Sequence, residues 1–317
     1  EIVKTAVVPS SSELVARLLE PFRVALVNVV YEAGPTGYGL ARKLESAGYP
    51  VMVVAPSKTP RESGRTSKSD RLDCRRLAQL AAGRMLRPIA IPTEQEEMDR
   101  QVCRLRDQLS NKLRRVKQQI KSLLLQYGIE QPSGLSNWSQ SSVEALQQLE
   151  LPDPLAFCLQ NLSHELVYLK GQVKQVDAKI KEVFEQPQHQ GRMALLRTHP
   201  GVGPVTASHF CAELFCPERF RTAGEVTRYL GLCPRVSQSG ERRREGPLLK
   251  TGRRQLRTQL IEAAWTWRRH DPTADTLYGR LLRNTGQSNK AIAGVARHLA
   301  IHLWRMLCRH EPYRAAA

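Results

Sequence analysis

The stretch VALVNVVYEAGPTGYGLARKLESAGYPVMVVAP, residues 24–56, sets the architecture of the first part of the chain. Residues 24–31 and 49–56 are apolar and rich in β-branched side chains, which is typical of buried strands in a parallel sheet. Residues 38–48 between them have the pattern of a helix that ends at Gly48. A strand, a helix and a second strand in succession predict an α/β unit.

The alternation of strands and helices continues to about residue 92. A helix is predicted from Asp70 to Gly83, and residues 86–92 fit a last short strand. The sequence therefore predicts an α/β domain at residues 1–92.

Two long helical patterns follow this domain. Apolar residues recur at helical spacing over residues 94–127 and 154–186, and a break rich in Pro, Gly and Ser separates them. The pair predicts an antiparallel coiled coil, a helical spacer at residues 93–190. Short helical segments fill the remainder and predict a mainly helical domain at residues 191–317.

The composition favours a partner that carries many negative charges. The 317 residues include 48 Lys and Arg against 30 Asp and Glu, a formal net charge of +18. Nucleic acid is the commonest polyanion that such a surplus binds, and an anionic membrane surface is the alternative. The sequence has no apolar run of membrane-spanning length and no signal peptide, and its seven scattered cysteines suit a reducing compartment. We therefore expect an intracellular protein without a membrane partner.

Three carboxylates are candidates for a metal site. Glu32 comes directly after a predicted strand, and Asp70 and Asp73 share one face of the first turn of a predicted helix. The carboxyl end of a parallel strand is where α/β sheets bind ligands, and converging carboxylates favour a hard cation such as Mg²⁺. The alternative is that Asp70 and Asp73 only stabilise the positive end of the helix dipole.

The segment HPGVGPVTA, residues 199–207, separates two predicted helices. Its glycines, Gly201 and Gly203, resemble the turn of a helix-hairpin-helix motif, which presents backbone N–H groups to a DNA phosphate without contacting bases. An ordinary tight turn between two helices is the alternative. The basic surplus favours DNA.

A basic segment, RVSQSGERRREGPLLKTGRRQLR, occupies residues 235–257. It contains eight Lys or Arg against two Glu and has no apolar stripe, so it is predicted to be a loop. A serine among arginines can attack a phosphodiester when cations stabilise the developing charge. Either Ser237 or Ser239 could serve, and a passive phosphate-binding loop is the alternative.

The acidic residues, the glycine turn and the basic segment, in this order along the chain, resemble the pattern of one protein family. The likeness is carried by residues 31–58, by TSKSDRLDCRRLAQL at 66–80, by residues 195–210 and by residues 220–265, and it covers nearly the whole chain. The chain is similar to the DEDD-type insertion-sequence transposases of the "one-ten" family, which are bridge-RNA-guided recombinases.

The resemblance implies an RNase H/RuvC-like domain, a coiled coil and a mainly helical transposase domain. It implies that Glu32, Asp70 and Asp73 are three of the four acidic residues that bind Mg²⁺. It favours Ser239 over Ser237 as the nucleophile that cuts and rejoins DNA. The implied partners are donor and target DNA, a structured guide RNA and further copies of the chain in a dimer or tetramer, in the bacterial cytoplasm at the nucleoid.

A set of residues is predicted to contact nucleic acid. Its members are Lys68, Gly201, Gly203, Arg242, Arg243, Arg244, Lys250, Arg253 and Arg254. For Lys68, Lys250 and Arg253 the pattern leaves DNA, RNA or a carboxylate of the protein as alternative partners.

The chain departs from the family pattern at its start. The family's first acidic residue is an Asp on the opening strand, whereas no Asp precedes Asp70 here. We therefore expect the opening strands to be missing, through a miscalled start, trimming or decay, with a defective metal site and an exposed sheet edge. Two other functions remain open: a RuvC-like metal nuclease that uses water, and an inactive remnant that only binds nucleic acid.

Overall fold

The structure, a computed structural model, describes residues 2–9, 11–60, 70–239 and 242–315, except for the side chains of residues 70, 71, 237, 239 and 242–245. The chain divides into two compact units, Glu1–Ile91 and Pro92–Ala317. The regular elements of the first unit are α1 (Ser12–Leu19), β1 (Val29–Glu32), α2 (Gly39–Ser46), β2 (Val51–Val54) and α3 (Asp70–Ala82). Those of the second unit are α4 (Glu94–Gln126), α5 (Gln140–Gln147), α6 (Asp153–Phe184), α7 (Pro187–Arg197), α8 (Pro204–Glu213), α9 (Ala223–Tyr229), β3 (Pro234–Ser239), β4 (Arg242–Leu248), α10 (Arg254–His270), α11 (Pro272–Thr285) and α12 (Ser288–Arg309).

The first unit contains the predicted strand–helix–strand unit. Strands β1 and β2 pair in parallel, with Glu32 opposite Val54, and α2 connects them. Helix α2 buries Ala41 and Leu44, and Gly48 follows it at a φ of 82°, a left-handed conformation that glycine adopts without strain. The predicted α/β order is therefore confirmed in the described part of this unit.

Two of the predicted strands, at residues 24–31 and 86–92, are shorter in the structure than predicted. Strand β1 begins only at Val29. Hydrogen-bonded turns continue from the 3₁₀ turn at Glu20–Phe22 as far as Leu26, and Val24 and Val27 are exposed. The predicted strand at 86–92 is reduced to one antiparallel bridge between Val54 and Pro88, since proline has no N–H to donate to a ladder. Among the described residues, β1 pairs with β2 alone.

The two long helices of the second unit run antiparallel. Arg106 near the start of α4 forms an ion pair of 2.6 Å with Asp177 near the end of α6, while Leu123 and Cys158, at the opposite ends, line one groove. A capping box at Thr93 starts α4. The two predicted long helices are confirmed, and their coiled-coil packing stays a prediction.

The predicted basic loop is wrong, because residues 234–248 form a β-hairpin. Strands β3 and β4 pair antiparallel, with Ser239 opposite Arg242. Only two residues, beginning with a glycine, connect the strands, and this spacing is typical of a tight hairpin. The sequence predicts a loop because the segment is highly charged and has no apolar stripe. We call residues 234–248 the serine hairpin.

Two glycines let the chain cross itself at the base of the serine hairpin. Gly231 and Gly252 both have a φ of 69°. A Cβ atom on Gly252 would lie 2.1 Å from the carbonyl oxygen of Tyr229, and one on Gly231 would lie 2.2 Å from that of Thr251. We call this contact of residues 229–233 with residues 249–253 the glycine crossing.

His199 lies in the core of the second unit, between α7 and α8. Its ring is 1% exposed, accepts the Gly201 N–H at Nδ1 (3.3 Å) and packs against Trp267 and Tyr313. The Tyr313 N–H donates to the Thr198 hydroxyl at 2.9 Å, and its own hydroxyl donates to Asp271. Burial, with the nearby His302 adding to it, lowers the pKa of His199 to about 3.

We expect Gly252→Ala to lower the free energy of unfolding by more than about 1 kcal/mol, because alanine is strained at positive φ and its Cβ would meet a backbone oxygen. Gly171→Ala is the matched control. It lies in α6 with no atom within 4 Å of its added Cβ, so it should stabilise the protein by roughly 0.5–1 kcal/mol. Urea denaturation of both variants measures the difference. If Gly252→Ala left the free energy of unfolding unchanged, the two backbones would not be in close contact at the glycine crossing.

The buried His199 predicts acid sensitivity. Between its ordinary pKa of 6.5 and its folded value of about 3, the unfolded chain holds a proton that the folded chain lacks. The free energy of unfolding should therefore fall as the pH falls through this window, by up to about 1.4 kcal/mol per pH unit from this group. His199→Asn keeps an acceptor for the Gly201 N–H but cannot titrate, so its stability should depend less steeply on pH. His164→Asn, on the exposed face of α6, should keep the parent slope. Equal slopes in all three proteins would contradict the prediction.

Candidate nucleic-acid and catalytic site

The acidic residues lie on two neighbouring elements of the first unit. Glu32 is the last residue of β1 and is exposed, and Asp73 is exposed on the first turn of α3, which packs against β1. Asp70 begins α3, and its side chain is outside the described part. Among the described side chains, no group of three His, Cys, Asp or Glu is close enough to hold a metal ion. The donor chemistry suits Mg²⁺, because all three predicted ligands are carboxylates.

The serine hairpin brings the predicted nucleophile next to the predicted arginines. In the register of the two strands, Ser239 is opposite Arg242, Gln238 opposite Arg243, and Ser237 opposite Arg244. Ser239 ends β3 beside the two-residue connection, whereas Ser237 lies further down the strand. The side chains of both serines and of the three arginines are outside the described part, as is all of Lys68.

Arg253 lies against two carboxylates of the protein. Its guanidinium forms an ion pair with Asp107 of α4 and lies 3.8 Å from a carboxylate oxygen of Glu213 on α8. Both carboxylates are less than 10% exposed. To bind a phosphate, Arg253 would have to leave two buried carboxylates, and an uncompensated buried charge is strongly destabilising. In this structure Arg253, the residue before α10, therefore anchors the glycine crossing to the long helix α4.

Further polar groups complete this arrangement, and sequence reasoning missed them. Nε2 of His209 lies 3.1 Å from Asp107, and its Nδ1 lies 2.8 Å from the Val205 carbonyl oxygen. Both ring nitrogens of His209 therefore face oxygen atoms. The Tyr229 hydroxyl donates to Glu213 at 2.8 Å, and burial, followed by the charge of Glu213, raises the pKa of Tyr229 to about 12. We call Asp107, His209, Glu213, Tyr229 and Arg253 the Asp107 cluster.

The Asp107 cluster brings two carboxylates together with a guanidinium and an imidazole. Asp107 contacts Arg253 and His209, and Glu213 lies near Arg253. The cluster joins α4, α8, α9 and the start of α10. The Asp107 cluster could not be predicted from the sequence, because Asp107 and Arg253 are far apart in the chain and each resembles an ordinary surface charge.

The two remaining predicted cations beside the hairpin are free to meet a ligand. Lys250 is exposed, with a φ of 54°, within the glycine crossing just after β4. Arg254 is exposed on the first turn of α10.

The predicted turn between α7 and α8 is present, but its two glycines differ. Gly201 is buried against α10, where a Cβ would lie 2.5 Å from the Ala263 oxygen, and its N–H donates to His199. Packing and an internal hydrogen bond therefore account for Gly201, and its N–H is not available to a DNA phosphate. Gly203 is exposed at the N-cap of α8, with open space around it. Only Gly203 has the exposure that the predicted phosphate contact requires.

None of the helices in the described ranges combines the length and apolarity that crossing a bilayer requires.

Two family models match this chain. A model described as "Transposase IS116/IS110/IS902 family" matches residues 193–279, which include the glycine turn and the serine hairpin. A DEDD transposase model of the IS110 type, described as "Transposase", matches residues 4–129, which include the three carboxylates.

Similar proteins carry transposase names. "Putative transposase y4qE" of Sinorhizobium fredii is 32% identical over 238 residues, which are 75% of this chain and 58% of that protein. The transposase for insertion sequence element IS1533 of Leptospira borgpetersenii is 29% identical over 76% of this chain and 71% of its own. The transposase for insertion sequence element IS1111A of Coxiella burnetii is 24% identical over 91% of this chain and 80% of its own. The chain thus spans little more than half of the first relative.

One family model matches residues 4–129 and another matches residues 193–279, and by these models and its relatives this chain is similar to the IS116/IS110 family of DEDD insertion-sequence transposases.

Proposed function

We propose that this chain cuts and rejoins DNA strands as the transposase of an insertion sequence, with Ser239 as the nucleophile. The observation that carries the proposal is the serine hairpin. It sets Ser239 at the end of a strand whose partner strand carries three consecutive arginines, within the segment that the transposase family model matches. The glycine crossing and the Asp107 cluster support the proposal, because they fix the base from which the hairpin projects.

The reaction proposed for Ser239 is a transesterification. Its Oγ attacks a phosphorus atom of the DNA backbone and gives its proton to a base or to solvent. The phosphorus–oxygen bond to one neighbouring nucleoside breaks, and the released oxygen takes up a proton. A hydroxyl of another DNA strand then attacks the serine phosphodiester, and the serine oxygen leaves and is protonated again. The number of phosphodiesters is conserved, so the strands are exchanged without an external energy source.

Arg242, Arg243 and Arg244 would stabilise the negative charge that develops on the phosphate. Consecutive residues of a strand alternate between its two faces, so at most two of the three can face one phosphate. A guanidinium donates two parallel hydrogen bonds to phosphate oxygens, which both orients the group and stabilises the transition state. Lys250 and Arg254, exposed at the base of the hairpin, would contact flanking phosphates.

Glu32, Asp70 and Asp73 would hold Mg²⁺, and a fourth carboxylate is implied by the family pattern. When bound, the metal polarises the phosphate and makes the attacking hydroxyl more acidic. Glu32 and Asp73 are both exposed, so a DNA strand and a cation can reach them.

The proposed partners are donor and target DNA, a structured guide RNA and further copies of the chain. The net charge of +18 supports nucleic-acid partners. A guide RNA that pairs with both DNAs would leave the protein to bind backbones, which suits a chain whose candidate contacts are Lys, Arg and backbone groups.

Ser239→Ala should abolish covalent attachment of the protein to DNA, whereas Ser237→Ala should retain it, because the proposed reaction needs one particular hydroxyl. The substrate is DNA copied from the two ends of the element that encodes the chain, with and without RNA transcribed from those ends, in Mg²⁺. A denaturing gel detects the adduct, and mass spectrometry locates it. Cleavage that survives in Ser239→Ala without any adduct would identify the metal nuclease that uses water. Salt-sensitive DNA binding with neither cleavage nor adduct would identify an inactive remnant.

Asp73→Asn should raise the Mg²⁺ concentration needed for half-maximal cleavage by about tenfold or more, because a neutral amide is a weaker ligand than a carboxylate. Asp153→Asn is the matched control, since Asp153 is also an exposed aspartate in the first turn of a helix. It should leave the Mg²⁺ requirement unchanged. If Asp73→Asn matched its control, Asp73 would have only the helix-dipole role.

A further inference from the structure

Trp138 has an unusual position in the second unit. It lies in the segment between α4 and α5, is only 7% exposed and has a φ of 53°. A bulky residue in the left-handed region is strained, so the surrounding structure must hold it there, and such strain is often found at functional sites.

Three lysines from two helices surround this tryptophan. The Nζ atoms of Lys117 and Lys121, on α4, lie 5.4 and 5.8 Å from the centre of the Trp138 ring. The Nζ of Lys170, on α6, donates to the carbonyl oxygen of Trp138 at 2.9 Å. All three side chains are half-buried. We call Lys117, Lys121 and Lys170 the lysine triad.

The lysine triad carries unbalanced positive charge. Within the described parts of the chain, no carboxylate forms an ion pair with any of its members. Burial lowers the pKa of Lys117, and the charges of Lys170 and Lys121 lower it further. Elsewhere on α6, Lys179 and Lys181 pair with Glu182 and Glu185.

We propose that the lysine triad binds a phosphate group of a nucleic-acid backbone. A phosphate would place its negative charge among three cations that otherwise repel one another. Two ammonium groups already lie against the Trp138 ring, so the ring is not available to stack on a base, and the site selects charge rather than sequence. An anionic membrane is disfavoured, because the triad surrounds a buried ring rather than the edge of an exposed apolar helix face.

The site extends the nucleic-acid contacts beyond the catalytic regions. Trp138 and Lys170 lie in residues 130–192, which neither family model matches. The inference rests on the proposed function only in taking nucleic acid as the ligand. It does not depend on Ser239 or on a metal. A protein that binds phosphate here but transfers no strand would disprove the proposed function and leave this site intact.

The test compares two full-length variants that remove the same number of positive charges. One is Lys117→Gln/Lys121→Gln/Lys170→Gln. The control is Lys4→Gln/Lys179→Gln/Lys181→Gln, which removes exposed lysines, two of them paired with glutamates. Binding of a short DNA duplex of mixed sequence is measured across a series of salt concentrations, and thermal melting checks that each variant is folded.

The slope of log affinity against log salt should become shallower in the triad variant by about 0.9 for each phosphate that the protein no longer neutralises, and by less in the control. Equal slopes in the two variants would overturn the proposal, because only the overall charge would then matter. Weaker binding to vesicles of anionic lipid with unchanged duplex binding would also overturn it.

A second measurement does not require the triple variant to fold. Tripolyphosphate should change the fluorescence of the parent protein, since Trp138 contacts two of the ammonium groups, and Trp138→Phe should lose this change. Lys121→Gln alone should weaken tripolyphosphate binding several-fold. A response that persists in Trp138→Phe, or an unaltered affinity in Lys121→Gln, would place the anion elsewhere.

Discussion

The serine hairpin depends on a contact between two backbones. Gly231 and Gly252 let residues 229–233 and 249–253 touch at distances that a Cβ atom would forbid. The contact sets the end of α9 and the start of α10 side by side, so β3 and β4 leave the helical unit already paired. The Leu249 N–H donates to the Cys233 oxygen at 2.9 Å, which begins the ladder at the crossing itself. Strands β3 and β4 therefore project from a fixed base, the glycine crossing.

The Asp107 cluster holds that base against the rest of the unit. Asp107 comes from α4 and contacts the Arg253 guanidinium at the crossing and the His209 imidazole on α8. Buried polar sets of this kind contribute little net stability over an apolar core, yet removing Arg253 would leave buried carboxylates without their guanidinium. The Asp107 cluster therefore acts mainly on geometry, because it fixes the base of the serine hairpin relative to α4.

The parts of the fold that local patterns encode could be predicted from the sequence. The run at 24–56 has strand, helix and strand periods in turn, and Glu32, predicted directly after the first strand, is its exposed last residue. The hairpin could not be predicted from its charges, which obscure the two-residue spacing between its strands. Arg253 resembles a phosphate ligand in the sequence because its carboxylate partners are distant in the chain. Gly201 shows the same limit, since only the packing of α10 reveals that its N–H faces inward.

Tyr313 has a consequence for synthesis of the protein. Its ring lies 4.3 Å from that of His199, and its N–H reaches Thr198. The core around His199 therefore stays open to water while the ribosome is still adding the residues of α12, although α7, α8 and α10 have already been translated. The second unit cannot complete its core stepwise along the chain. Its folding has to wait for a residue that is translated more than a hundred positions after the turn that it covers.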